Sequence, residues 1–511
     1  VAEQIYVVEA VAYTSAGTET LYWCSGKGFT TKTTDTPAST PIAPRIIEPA
    51  NLARLVFGDG RTAGRSQVGG GELVLNNADG GLNALLDYGL DGRAISIWVG
   101  EQGAAYPSGF ARVFRGTMEQ PEVSATRAVV RLRDRQAELD RPIQTTKFAG
   151  TNSGATGVEG TADDLKGRPK PLAYGRCYNV APPQVNASLL IYQVHDGAVQ
   201  AIDAVYDGGL AYTLAGDDPD LATLQAATVA AGDYRTCLAE GYFRLGTLPA
   251  GLVTADVQGD ATGSYVSSVA GIVERIVTTR GGLASGDVDA AAVAALNTAN
   301  SAVVGIWVDQ ERSILDVLDE LCASIGAYYY FDTAGDLVLG RLDAPASPSV
   351  TLTDVEIIAI ERQATRDQGR GLPAYRVILG WQRNWTVQDD VLGAVSEARK
   401  AWLAEAVRTV TATDVSVQTK HPLAPELRRD TLLAVSSAAS AEATRLQALY
   451  GVRRDMVRCR VRLDATNAAI DLGDVVRVQT SRLGYSAGRD FVVLGVETTG
   501  ARNRMTLTLW G

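Results

Sequence analysis

The chain has 511 residues, 46% of them hydrophobic, with 47 Lys and Arg against 58 Asp and Glu and a net charge of −11. A chain of this length and apolar content can bury several cores, so global disorder is excluded and about three or four domains are expected. The acidic balance also speaks against a nucleic-acid binder, which carries a basic face, and no sequence-specific nucleic acid binding is expected.

Five cysteines (Cys24, Cys177, Cys237, Cys322, Cys459) are spread widely, with no CxxC and no Cys–His cluster. They predict reduced thiols and neither a zinc nor an iron–sulfur site. No apolar run reaches the roughly 18 residues of a membrane span, so no transmembrane segment is expected. The stretch VAEQIYVVEAVAY has no basic region and no cleavage pattern, and its alternation reads as a first strand rather than a signal peptide.

Residues 1–165 read as short β-rich runs: Ile5–Tyr13, Leu21–Cys24, Ala53–Phe57, Glu72–Asn76, Ile95–Val99, Ala111–Gly116 and Ala128–Leu132. Their spacing suits a barrel or sandwich. Within GELVLNNADGGLNALLDYGLDGRAISIW, the Asn76–Gly81 segment is a strong turn and Leu82, Leu85, Leu86 and Tyr88 predict a helical turn. Asp79, Asp87 and Asp91 have no Glu at the twelfth position of a calcium loop, so they are read as turn-forming residues.

Residues 166–262 read as a smaller β-rich module, with strands Leu189–Val194, Ala201–Tyr206 and Tyr242–Leu245, a hairpin at Asp207–Gly209 and a short helix over Leu221–Val229. His195 precedes Asp196, but neighbours in an extended segment face opposite ways, so no relay is expected. The other histidine, His421, precedes Pro422 in a loop. No HExxH, GxSxG or P-loop occurs.

Residues 263–342 form a helical module, with helices expected over Tyr265–Thr279 and Val288–Ala299. It ends in SILDVLDELCASIGAYYYFDTAGDLVLGRL, residues 313–342. Here Ile314, Leu315, Leu318, Leu321, Cys322 and Ile325 make one apolar helix stripe. Ser313 is placed to cap it and Gly326 to end it in the left-handed region. Ala327–Phe331 and Leu337–Leu342 then read as a hairpin around DTAGD.

Residues 343–511 return to β structure, with strands at Ile357–Arg362 and Tyr375–Trp385 and helices inserted over about 389–455: Val391–Val407 and Ser437–Tyr450. Arg453, Arg454, Arg458 and Arg460 read as a charged strand edge. Val475–Val478, Phe491–Val496 and Met505–Leu509 are the closing strands. The fold class is mainly β with α insertions (α+β), in several domains.

Four stretches, at 73–98, 264–299, 313–342 and 472–511, occur in an order that resembles the baseplate hub (tail-tip) proteins of long-tailed phages with non-contractile tails and of gene transfer agents. The resemblance implies two tube-like β-barrel domains, 1–165 and 343–511, separated by the 166–262 and 263–342 modules. It further implies a homotrimeric ring in the virion tail tip, synthesised and assembled in the bacterial host cytoplasm. The implied partners are the distal tail protein ring, the tape measure protein C-terminus, and other tail-tip or central fibre proteins. The implied role is to join the hexameric tail end to the tip and to help close or gate the lumen for DNA passage. No catalytic, cofactor-binding or metal residue is nominated and no enzyme is expected. The alternatives are a tail-tip cell-wall hydrolase of glycosidase type, using paired carboxylates, and a receptor-binding tail protein.

Overall fold

The computed structural model describes residues 4–58, 60–154, 156–367, 369–462, 467–499 and 504–511. It is mainly β with few helices, as expected. The largest element is a 16-stranded sheet that uses both ends of the chain. Its path starts at Ile357–Gln363, passes through Met456–Arg462, Arg504–Trp510 and Arg489–Thr499, and crosses to Ile46–Leu55. It then runs through Gln67–Asn76, Arg127–Asp134, Phe110–Met118 and Ala94–Glu101 to Gln4–Thr14 and beyond. The seam is antiparallel, with Val496 opposite Arg54 and Thr498 opposite Leu52. Among the described residues the path stays open, and no pairing closes a barrel. A twisted sheet this long must curl or split its packing. Its buried side chains divide accordingly, into an N-terminal core around Val8, Leu73, Ile97 and Val130 and a C-terminal core around Val457, Val476, Phe491 and Leu507.

Two five-stranded sheets carry the small β module and share a core formed by Val194, Val205, Tyr234, Phe243 and Val257. Helices Val269–Thr279, Ala290–Ala299 and Ile314–Ala323 build a further core with the Gly305–Val308 strand. The first of these begins later than the sequence predicts, because Ser268 takes the N-cap by accepting from Gly271 N–H.

The expected Val391–Val407 helix is confined to Glu397–Ala404. Leu392 lies over Gly208, while Val391, Val395 and Leu403 lie over Gly209, where no Cβ obstructs them. The apolar spacing there serves a docked loop as well as a helix. The chain then forms Arg408–Thr413, which joins Arg376–Trp381 and Glu426–Asp430 in a three-stranded sheet under helix Ser436–Tyr450. The Met456–Arg462 strand is not an edge: it pairs with Ile357–Gln363 on one side and Arg504–Trp510 on the other. Within it, Arg458 meets Glu497 at 2.7 Å.

Asp134 closes the strand Arg127–Asp134 and caps the turn after it, accepting from Gln136 N–H at 2.9 Å and from Gly69 N–H at 2.6 Å. Burial pushes its carboxyl up to about 7, and these N–H groups and nearby Arg54 offset only part of that. A carboxyl protonated in the fold but ionised in the unfolded chain loses stabilising effect as pH rises. Stability is therefore expected to fall between about pH 4, where an unfolded Asp titrates, and about pH 7. The D134N variant should lack that part of the slope, measured as urea midpoints across this window.

Candidate functional site

The Ser313–Leu342 unit lies between the helical core and the C-terminal core. Ser313 Oγ accepts from Asp316 N–H at 3.1 Å, which starts the helix Ile314–Ala323. Ile314, Val317, Leu318, Leu321 and Cys322 are all buried on one face. Gly326, at φ +65°, turns the chain into the strand Ala327–Phe331. The return strand is Leu337–Arg341, after a turn closed by Asp332 and Asp336. Strand alternation then divides the aromatic run between two cores. Tyr329 and Phe331 enter the helical core, while Tyr328 enters the C-terminal one and Tyr330 packs against it.

The hairpin is also held from both ends of the chain. Arg54 donates to Phe331 O at 3.3 Å, Arg112 to Ala334 O at 2.9 Å and Arg135 to Gly335 O at 2.8 Å. From the other side, Arg445 donates to Leu342 O at 2.9 Å and to Ile325 O at 3.3 Å. Arg54 also makes a bidentate pair with Asp471, so one guanidinium touches the N-terminal sheet, the hairpin and the C-terminal module.

The polar face of the same helix borders an open cavity of about 390 Å³, lined by Gly64, Arg65, Arg312, Asp316, Asp319 and Glu320. Three carboxylates at i, i+3 and i+4 share that face. Each has a partner. Arg65 pairs with Asp316 at 3.0 Å, and Glu320 receives Arg312 at 2.8 Å and Arg383 at 2.6 Å. Asp319 accepts from Ser66 N–H at 3.1 Å and from Tyr329 OH at 2.9 Å, and burial pushes its carboxyl up. The arrangement clamps the loop before Gln67–Asn76 onto the helix, across about 250 residues of sequence. It combines two ion-paired carboxylates with one raised by burial. The sequence shows that these acids share a helix face, but carries no sign of Arg65 or Arg383 as their partners.

The histidine weighed from sequence lies elsewhere. His195 is buried, its Nδ1 accepts from Ala173 N–H at 3.0 Å, and its Nε2 faces Asp260 at 3.6 Å. Asp260 in turn binds Arg275 and accepts from Thr262 Oγ1. Asp196 turns away, to Thr146 and Arg280. His195 is therefore a buried, hydrogen-bonded residue in the bend that follows the strand Ile191–Gln193. Asp79 is paired with Arg45 and caps Gly81 N–H. His421 is half-buried at the end of the short helix Val415–Lys420. All five cysteines are buried and unbridged. Among the described residues no group of three or more His, Cys, Asp or Glu stands close enough to hold a metal, and no helix is long and apolar enough to cross a membrane.

No protein-family model matches the chain, and no curated protein matches it. Among solved structures, the tail protein from Neisseria meningitidis MC58 aligns over 99% of this chain and 96% of its own, at 10% identity and a TM-score of 0.43. The 43 kDa tail protein of prophage MuSo2 from Shewanella oneidensis aligns over 99% and 98%, at 11% identity and 0.39. A chain of the virion of a native gene transfer agent particle aligns over 72% and 91%, at 15% identity and 0.45. At these identities and TM-scores the likeness assigns neither fold nor role.

Proposed function

We propose that the chain is a structural baseplate hub protein of a phage or phage-like tail tip, acting through assembly and not through catalysis. In this reading residues 1–165 and 343–511 form two barrel-like halves. Residues 166–262 are an insertion, and 263–342 are a helical module whose closing helix–hairpin, Ser313–Leu342, is the joint to the second half. Three copies close into a ring between the hexameric tail end and the tip or central fibre, facing the tape measure protein and helping to gate the lumen. A closed ring requires subunit contacts that return on themselves.

The observation that carries this reading is the convergence at Ser313–Leu342. One of the four stretches bearing the family resemblance is also the place where the N-terminal part of the large sheet, the helical core and helix Ser436–Tyr450 are tied together. The charged groups around it are paired across modules, as suits a load-transmitting joint.

The carboxylate-lined cavity keeps one competing reading, a cell-wall hydrolase, open to a direct test. The native mass of the purified chain, alone and with a distal tail ring, should reveal a three-copy species, and incubation with peptidoglycan should release no sugar. A stable monomer that turns over cell wall contradicts the proposal.

A further inference from the structure

We propose that the cavity beside Trp510 is a docking site for a partner polypeptide that presents a carboxylate next to an aliphatic side chain. The cavity, of about 50 Å³, lies between Thr365, Asp367 and residues 371–374, the strand Glu426–Asp430 and the end of helix Ser436–Tyr450. Tyr450, Trp510, Leu427 and Ala374 line it. Leu372 and Val452, 43% and 49% exposed, form an apolar lip.

Two guanidiniums border this apolar space. Arg429 stacks over Tyr450 and Arg454 over Trp510, each at 5.3 Å. Among the described residues neither has a carboxylate within ion-pair distance, whereas Arg453 and Arg489, close by, both bind Asp455. Arg454 donates one hydrogen bond, from Nε to Leu449 O at 3.0 Å. Two acids also line the cavity, and both are engaged: Asp367 accepts from Thr62, and Glu426 is held by Tyr375 and Arg376. Half-burying a cation without a counter-charge is unfavourable, and burial together with Arg489 draws the Arg454 pKa down.

An incoming carboxylate relieves that cost with the planar geometry guanidinium favours. The space takes a few water-sized groups, far less than the several hundred Å³ of a sugar or nucleotide site. Arg, Tyr and Trp are the residue types that dominate binding energy at protein interfaces, which favours a polypeptide over a free anion. The apolar lip accounts for the aliphatic neighbour. The site is independent of the tail role.

The test is calorimetric titration of the full chain with acetyl-Ser-Leu-Glu-Leu-amide, with the same peptide carrying Gln for Glu, and with inorganic phosphate. The acidic peptide should bind, and the Gln peptide should bind about tenfold more weakly. R429Q and R454Q should each cost the acidic peptide a similar factor. Among the described residues the Arg429 side chain has its stacking contact and neither a hydrogen bond nor an ion pair, so R429Q should melt with the wild type and carries the test if R454Q fails to fold. Equal binding of the two peptides, no binding of the acidic one, unchanged binding in R429Q, or equally tight binding of phosphate overturns the proposal.

Discussion

Replacing Asp455 with Ala is expected to cost about 3–5 kcal/mol of folding free energy, the range seen when one partner of a buried ion pair is removed. Its side chain is fully buried and receives Arg362 at 2.5 Å, Arg453 at 2.6 Å and Arg489 at 3.0 Å, with Tyr485 OH at 3.0 Å. Its backbone exchanges two hydrogen bonds with Gly511. Asp455 thus ties the Ile357–Gln363 edge and the Arg489–Thr499 strand through its carboxylate, and Gly511 through its backbone, into one corner of the sheet. Burial alone would raise its pKa, but Arg453, Arg362 and Tyr485 outweigh burial and hold the carboxyl below its usual range. Its stabilisation is present above about pH 4, where an unfolded Asp titrates, and is lost as pH falls through the lower folded value. D455N should lose most of the stability that D455A loses, since neutral Asn leaves three guanidiniums uncompensated. Urea unfolding with an unchanged m value checks both variants.

The second large effect lies in the helix of the joint. Leu318 and Leu321 are both 0% exposed in the helical core. L318D or L321D buries a carboxylate in an apolar core, at a cost of several kcal/mol or more, and should abolish folding or ring assembly. L318A leaves a cavity and should cost about 2–5 kcal/mol while the chain still folds. D316A, on the same helix, removes only the exposed pair with Arg65 and should cost at most about 1 kcal/mol. Circular dichroism melts of the set separate these outcomes. A folded, assembly-competent L318D contradicts the role assigned to the joint.

Local chemistry was the legible part of this fold. Ser313, the Ile314–Ile325 stripe, Gly326 and the DTAGD turn each act within a few residues, so sequence spacing locates them closely. The sheet seam was not legible, because Ile46–Leu55 and Arg489–Thr499 pair across more than 400 residues and neither strand marks its partner. The Val391–Val407 stretch misled in part for a related reason: Val391, Leu392 and Val395 cover the Gly208–Gly209 hairpin from a loop, and only Leu403 reaches it from the short helix Glu397–Ala404. The arginines around Met456–Arg462 show the same limit. Charge in a strand suggests an exposed edge, but Glu497 lies across the sheet where no local pattern reveals it. The acids of the candidate cavity were visible as one helix face. Their clamp required Arg65 and Arg383, which the chain supplies from two other modules.

Electron cryomicroscopy of tailed particles assembled with a tagged copy of the chain tests the central claim most directly. Three copies per particle are expected, in a closed ring at one end of the tail tube, with Ser313–Leu342 buried inside each subunit. Tagged copies distributed along the tube or on the capsid, or a chain missing from particles and found free as an active monomer, would contradict it.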